Sequence, residues 1–149
     1  MPQPDIEYMF ANLSASGYRV TSLATPAYNC AAWATGETVR CWDPDPGGGN
    51  YWPAQVSRVL SLPNLIAALA TLGYGPCATS DAEPGFEKLA LYADAQSEPT
   101  HVARQLPSGV WTSKLGTGED IEHLSLAGLE EPIYGWVAQF LRRPLPVLP

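Results

Sequence analysis

Positive charge is scarce in this chain: 149 residues hold 8 Lys and Arg against 15 Asp and Glu, a formal net charge of −7. That balance leaves no basic stripe to neutralise phosphates, which argues against nucleic acid and against an anionic membrane surface as partners. Long apolar runs are also lacking. No stretch approaches the roughly 20 residues of a bilayer span, and the first residues lack the basic start and apolar core of a secretory signal, so the chain reads as cytoplasmic. Cysteine is limited to Cys30, Cys41 and Cys77. An odd number without close pairs fits a reducing compartment rather than a disulfide framework. With no C-x-x-C or H-x-x-x-H spacing, neither a metal site nor a cofactor is expected. There is no internal repeat and no low-complexity block.

What is present is apolar and turn-rich. Hydrophobic residues make up 46% of the chain and charged ones 15%, enough for one packed core in a single domain spanning residues 1–149. Fifteen prolines and thirteen glycines predict many turns and short elements, and so an α+β domain with ordered loops. Residues 18–22 can form a short edge strand. Asn29 caps a helix over 29–35 that Gly36 stops, and Ser61 caps the clearest helix, through Leu72, with Leu62, Leu65, Ile66, Leu69 and Leu72 on one face. Strands are predicted over 86–93, 100–106 and 110–115, joined into an antiparallel meander. A Gly/acid loop over 116–121, a short helix near 124–129, a final amphipathic piece over 133–141 and a Pro-rich strap or frayed tail complete the reading.

Between the helices, residues 41–53 combine Pro and Gly with Trp42, Tyr51 and Trp52. Solvated linkers rarely carry so many aromatics, so this is a packed loop, either walling a cleft or covering the back of the core.

The most suggestive chemistry lies in Tyr28-Asn29-Cys30-Ala31-Ala32-Trp33. A thiol in the first turn of a capped helix meets unpaired N–H groups that favour thiolate, although a buried cysteine can equally fill space. A cysteine nucleophile needs a base, and the chain has only His101 and His123. His101 opens a predicted strand after an exposed loop, where it can face a cleft mouth or pair at a sheet edge. Arg104 and Lys114 can bind an acidic group or lie on solvated sheet faces.

The order of cysteine at a helix start, connecting helix, apolar strand, strand opening with His, Gly turn and third strand resembles the papain-like fold in its compact bacterial form, the NlpC-type thiol peptidases and amidases. The resemblance rests on residues 28–33, on Lys88-Leu89-Ala90-Leu91-Tyr92, on Thr100-His101-Val102-Ala103-Arg104 and on residues 107–113. It implies an antiparallel meander packed on helices, Cys30 as nucleophile and His101 as base. The residue that orients the base falls near Ser113, with Asp120, Glu122 or His123 able to take that role if the loop after Gly116 folds back. Asp120 and Glu122 can also be a solvated acidic pair. The Cys30 N–H would form an oxyanion hole with a second donor from Tyr28, Asn29 or Gln105, beside Trp33.

Over nearly its full length the chain also resembles a family of small bacterial proteins of unknown function, marked by Tyr28-Asn29-Cys30, Thr100-His101, Trp111-Thr112-Ser113-Lys114-Leu115-Gly116 and Asp120-Ile121-Glu122-His123. The expectation is a cysteine-dependent hydrolase acting on a peptide or small amide through an acyl-enzyme, or by acyl transfer or deamidation. The rival is a non-catalytic binding or immunity-type module that meets a protein partner through the aromatic loop.

Overall fold

A computed structural model describes residues 4–146. Its frame is one seven-stranded sheet, antiparallel at every pairing, in the order β1-β6-β5-β4-β3-β7-β2. The strands are β1 (Tyr18–Val20), β2 (Gly75–Cys77), β3 (Phe86–Ala93), β4 (Pro99–Gln105), β5 (Trp111–Lys114), β6 (Asp120–His123) and β7 (Trp136–Pro144). The helices are short: α1 (Pro4–Met9), α2 (Leu13–Ser16), α3 (Cys30–Ala34) and α4 (Leu62–Ala70), with a 3-10 turn at Ala127–Leu129. No helix among the described residues is long and apolar enough to cross a membrane.

This corrects the expected papain-like α+β architecture of helices packed on a meander. The meander β3–β4–β5 exists, but β6 and β1 extend it on one side and β7 and β2 on the other. Two segments account for the difference. The piece over 133–141, read as amphipathic, supplies the strand β7, which pairs with β3 along eight residues of that strand, Phe86 to Ala93. Its Trp, Val, Phe and Leu content suits a pleated surface better than a helix. The supposed Gly/acid loop runs straight into β6, whose Ile121 is fully buried while Asp120 and Glu122 point to the other face. Residues 4–16, without a helix in the sequence reading, form α1 and α2. The tail beyond Pro146, read as a strap or frayed end, lies outside the described residues, as do the first three residues, while Leu145 donates its N–H to the Gly85 carbonyl at 2.8 Å.

Side-chain alternation along the strands divides the interior into two cores. Leu89, Leu91, Val102 and Leu141 face the first, closed by Ala31, Ala32 and Ala34 of α3, by Leu65, Ala68 and Leu69 of α4, and by Trp42 and Trp52. Ala90, Tyr92, Ala103, Trp111 and Ile121 face the second, closed by Ile6, Phe10, Leu13 and Leu129. The burial of both faces explains why β3 reads as nearly continuously apolar. Arg104 and Lys114 do not lie on solvated faces: Lys114 is fully buried, its ammonium donating to the carbonyls of Thr25, Gly116 and Gly118, and the Arg104 guanidinium lies 5.1 Å from the Trp33 ring.

At the start of β7, Gly135 has φ +71°, and an added Cβ would collide with the Ala93 carbonyl oxygen. Gly135→Ala is therefore expected to cost at least about 1–2 kcal/mol from the left-handed backbone alone, read as a lowered midpoint in urea unfolding. An unchanged midpoint would mean that this junction is not held as described.

Candidate functional site

Asn29 sets the position of everything around Cys30. Its backbone is extended and its Oδ1 accepts from the Ala32 N–H at 3.1 Å, capping α3. The same oxygen accepts from the Trp42 N–H at 3.1 Å, and Nδ2 donates to the Trp42 carbonyl at 2.7 Å. One carboxamide thus fixes the helix start and the following loop together. Small residues at Ala31 and Ala32 let α3 lie close against β4 and β5.

The loop over 41–53 is an ordered wall. Trp42 bridges Tyr51, Asp43 donates its N–H to the Tyr51 carbonyl at 3.0 Å, and the Asp45 carboxylate accepts from the N–H groups of Gly49 and Asn50 at 2.7 and 3.0 Å. Arg58 closes the loop by donating to the Asp45 and Asn50 carbonyls at 2.8 and 3.0 Å. Trp42 and Trp52 are buried and Tyr51 is half-buried, so the tryptophan rings turn inward and only part of Tyr51 reaches solvent.

Cys30 is the first residue of α3 and is half-buried. Strands β4 and β5 pair only at Arg104↔Thr112 and Gln105↔Trp111, which leaves residues 100–103 without a β5 partner. The thiol lies at that opening. Burial pushes its pKa up, and the N–H groups of Val102, Ala31 and Cys30 itself pull it back down without cancelling the effect. The thiolate expected from the helix start is thus replaced by a neutral thiol, because a five-residue helix offers less than desolvation removes.

His101 lies on β4 with its ring on the other face of the sheet. It is cross-strand partner to Tyr92, whose ring meets it edge-on at 5.5 Å, and it stacks on Tyr134 at 4.2 Å with 7° between planes. It is 1% exposed, and neither Nδ1 nor Nε2 has a hydrogen-bond partner. Burial, followed by the charge of nearby His123, holds its pKa well below the ordinary value, so the ring is a neutral base. The His101 ring is thus buried, while the cavity beside it is half-open to solvent. A cavity of about 210 Å³ is lined by Cys30 and His101 together with Trp42, Asp43, Pro44 and Trp52.

The other residues singled out in the sequence have their own partners. Ser113 and His123 form a buried pair, with Oγ and Nε2 2.8 Å apart. His123 Nδ1 lies 2.9 Å from the Ser125 carbonyl and must donate to it, which leaves Nε2 to accept the Ser113 hydroxyl proton. Asp120 lies across the sheet, where its Oδ2 accepts the Tyr28 hydroxyl at 2.6 Å, and Glu122 pairs with Arg19 at 2.9 Å. None of these groups bonds to His101. The proposed oxyanion donors are committed as well: Tyr28 to Asp120, Trp33 Nε1 to the Thr112 hydroxyl at 3.0 Å and Gln105 Nε2 to the Ser80 carbonyl at 2.8 Å. The Asn29 side chain is engaged with Trp42. Backbone N–H groups around the sulfur remain. Among the described residues, no three His, Cys, Asp or Glu side chains cluster as metal ligands would.

Sequence reasoning did not single out Asp43 or Tyr134. Asp43 was hidden in a Pro/Gly string whose aromatics drew attention, and Tyr134 belongs to the segment read as amphipathic.

The chain belongs to the DUF7689 family, a domain of unknown function whose description matches residues 19–142. No curated protein and no solved structure matches it.

Two buried neutral histidines link stability to pH. Burial lowers His123 to about 4, and His101 is also lowered, so as pH falls the unfolded chain takes up protons first, from about 6.5 downward. Stability is fully present above that pH and is lost toward pH 4, with about 3 kcal/mol of the loss due to His123. Urea unfolding from pH 7 to 4.5 should show this decline, and His123→Gln should flatten it. A level profile in the native chain contradicts the assignment.

Proposed function

We propose that this DUF7689 chain is a cysteine-dependent acyl hydrolase of the peptidase or amidase class, with Cys30 as nucleophile and His101 as general base. The observation that carries the reading is the shared cavity: Cys30 and His101, a buried histidine with both ring nitrogens unpartnered, line the same half-open space. Unpartnered buried polar groups are costly, and active sites are where such a cost is retained.

The chemistry starts from two neutral groups. As the sulfur attacks the substrate carbonyl, the thiol proton passes to a His101 nitrogen and a C–S bond forms. Carbonyl electrons move onto oxygen, and the N–H groups of Cys30, Ala31 and Val102, which face the sulfur, supply donors for that charge. Collapse of the tetrahedral species breaks the C–N bond, and the imidazolium returns its proton to the departing amine. Water then attacks the thioester with His101 again accepting a proton, releasing the acid and restoring the thiol. Tyr134, stacked on His101, fixes the plane of the ring. An amine in place of water turns the same cycle into acyl transfer.

An activated ester tests the pair without knowledge of the natural substrate. In a Cys41→Ser/Cys77→Ser background, p-nitrophenyl acetate should give one equivalent of p-nitrophenolate in a burst and an acetyl group on Cys30. His101→Ala should slow the burst by about 100-fold or more while leaving the fold intact by circular dichroism. A folded protein that leaves Cys30 unacylated, or equal rates with and without His101, overturns the reading.

A further inference from the structure

The cavity holding Cys30 and His101 has an acidic wall. Asp43 lines it beside the buried Trp42 and Trp52 rings. Burial raises the Asp43 pKa, and the adjacent Asp45 raises it further. Among the described residues Asp43 enters no ion pair, because the nearby cations are engaged elsewhere: Arg58 on Asp45, and Arg40 on Glu37 and over the Tyr51 ring at 3.8 Å. The Asp45 N–H and the more distant Arg58 offset the burial only in part, and a half-buried carboxylate with no cation in direct contact, next to aromatic rings, suits a cation. An ammonium group arriving there relieves both the burial penalty and the repulsion from Asp45, and ring faces attract it further. The overall charge of −7 draws cations toward the protein in the same sense. Cys30 and His101 belong to the same lining.

We propose that the cavity admits substrates carrying a protonated amine close to the acyl group, with the ammonium held by the Asp43 carboxylate between the walls formed by Trp42 and Trp52. This rests on Cys30 as the reacting group and adds the substrate class. The volume of about 210 Å³ accommodates an amino-acyl-sized unit.

Charged thiol reagents separate the two ideas. In the Cys41→Ser/Cys77→Ser background, second-order rates at Cys30 are compared for 2-(trimethylammonio)ethyl and 2-sulfonatoethyl methanethiosulfonate. In both reactions the Cys30 sulfur attacks the sulfenyl sulfur, a disulfide forms, methanesulfinate leaves with the electron pair, and the thiol proton goes to base. The cationic-to-anionic rate ratio, divided by that of N-acetylcysteine amide, should be about tenfold or higher. Asp43→Asn should lower it several-fold and Asp43→Glu should keep it, while Asp5→Asn, the same charge change on exposed α1, should leave it nearly unmoved. A ratio near that of the free thiol, or one that Asp43→Asn and Asp5→Asn lower equally, overturns the cationic assignment and leaves Cys30 reactive. If neither reagent labels Cys30 in the folded protein, the nucleophile reading falls and the substrate class with it.

Discussion

One side-chain amide holds the two halves of the site together. Asn29 caps α3 through Ala32 and clamps both peptide groups of Trp42, with three hydrogen bonds of 2.7–3.1 Å. Each bonded backbone group is shielded from water, so an Asn29 replaced by an apolar residue would strand donors and an acceptor at once. Cys30 is adjacent in sequence and Asp43 is adjacent to Trp42. The distance between the Cys30 thiol and the acidic wall is therefore governed by a single residue rather than by two independent loops.

The second constraint is the opening in the sheet. Because β4 and β5 pair over only two residues, Cys30 of α3 and His101 of β4 both border the same cavity. Desolvation pushes the Cys30 thiol up and the His101 imidazole down, so both favour their neutral forms. The cost is visible elsewhere: His101 leans on Tyr92 and Tyr134 for packing in place of hydrogen bonds, whereas His123, satisfied by Ser113 and Ser125, is structural in character.

Local signals were legible where local physics decides. Asn29 and Ser61 cap helices as their residue types suggest, and β3, β4 and β5 lie close to the bounds read from alternation and turns. The architecture was not legible, because it depends on β6 and β7. An Asp-Ile-Glu-His string gives only one apolar residue to signal a strand, and β7 takes its conformation from the neighbours it pairs with rather than from its own periodicity. Within the site, Cys30 and His101 stand out in sequence as rare residue types. Their enclosure does not, since it requires knowing that Tyr134, far downstream of His101, stacks on its ring.

The central claim is that the Cys30 thiol and the His101 imidazole share one space, and imidazole NMR tests it most directly. Ring nitrogen and carbon resonances of His101 and His123 are followed before and after Cys30 is alkylated in the Cys41→Ser/Cys77→Ser background. The account expects His101 to shift and its titration to move, while His123, bonded to Ser113 and Ser125, stays close to its starting position. A His101 ring indifferent to the adduct would contradict it.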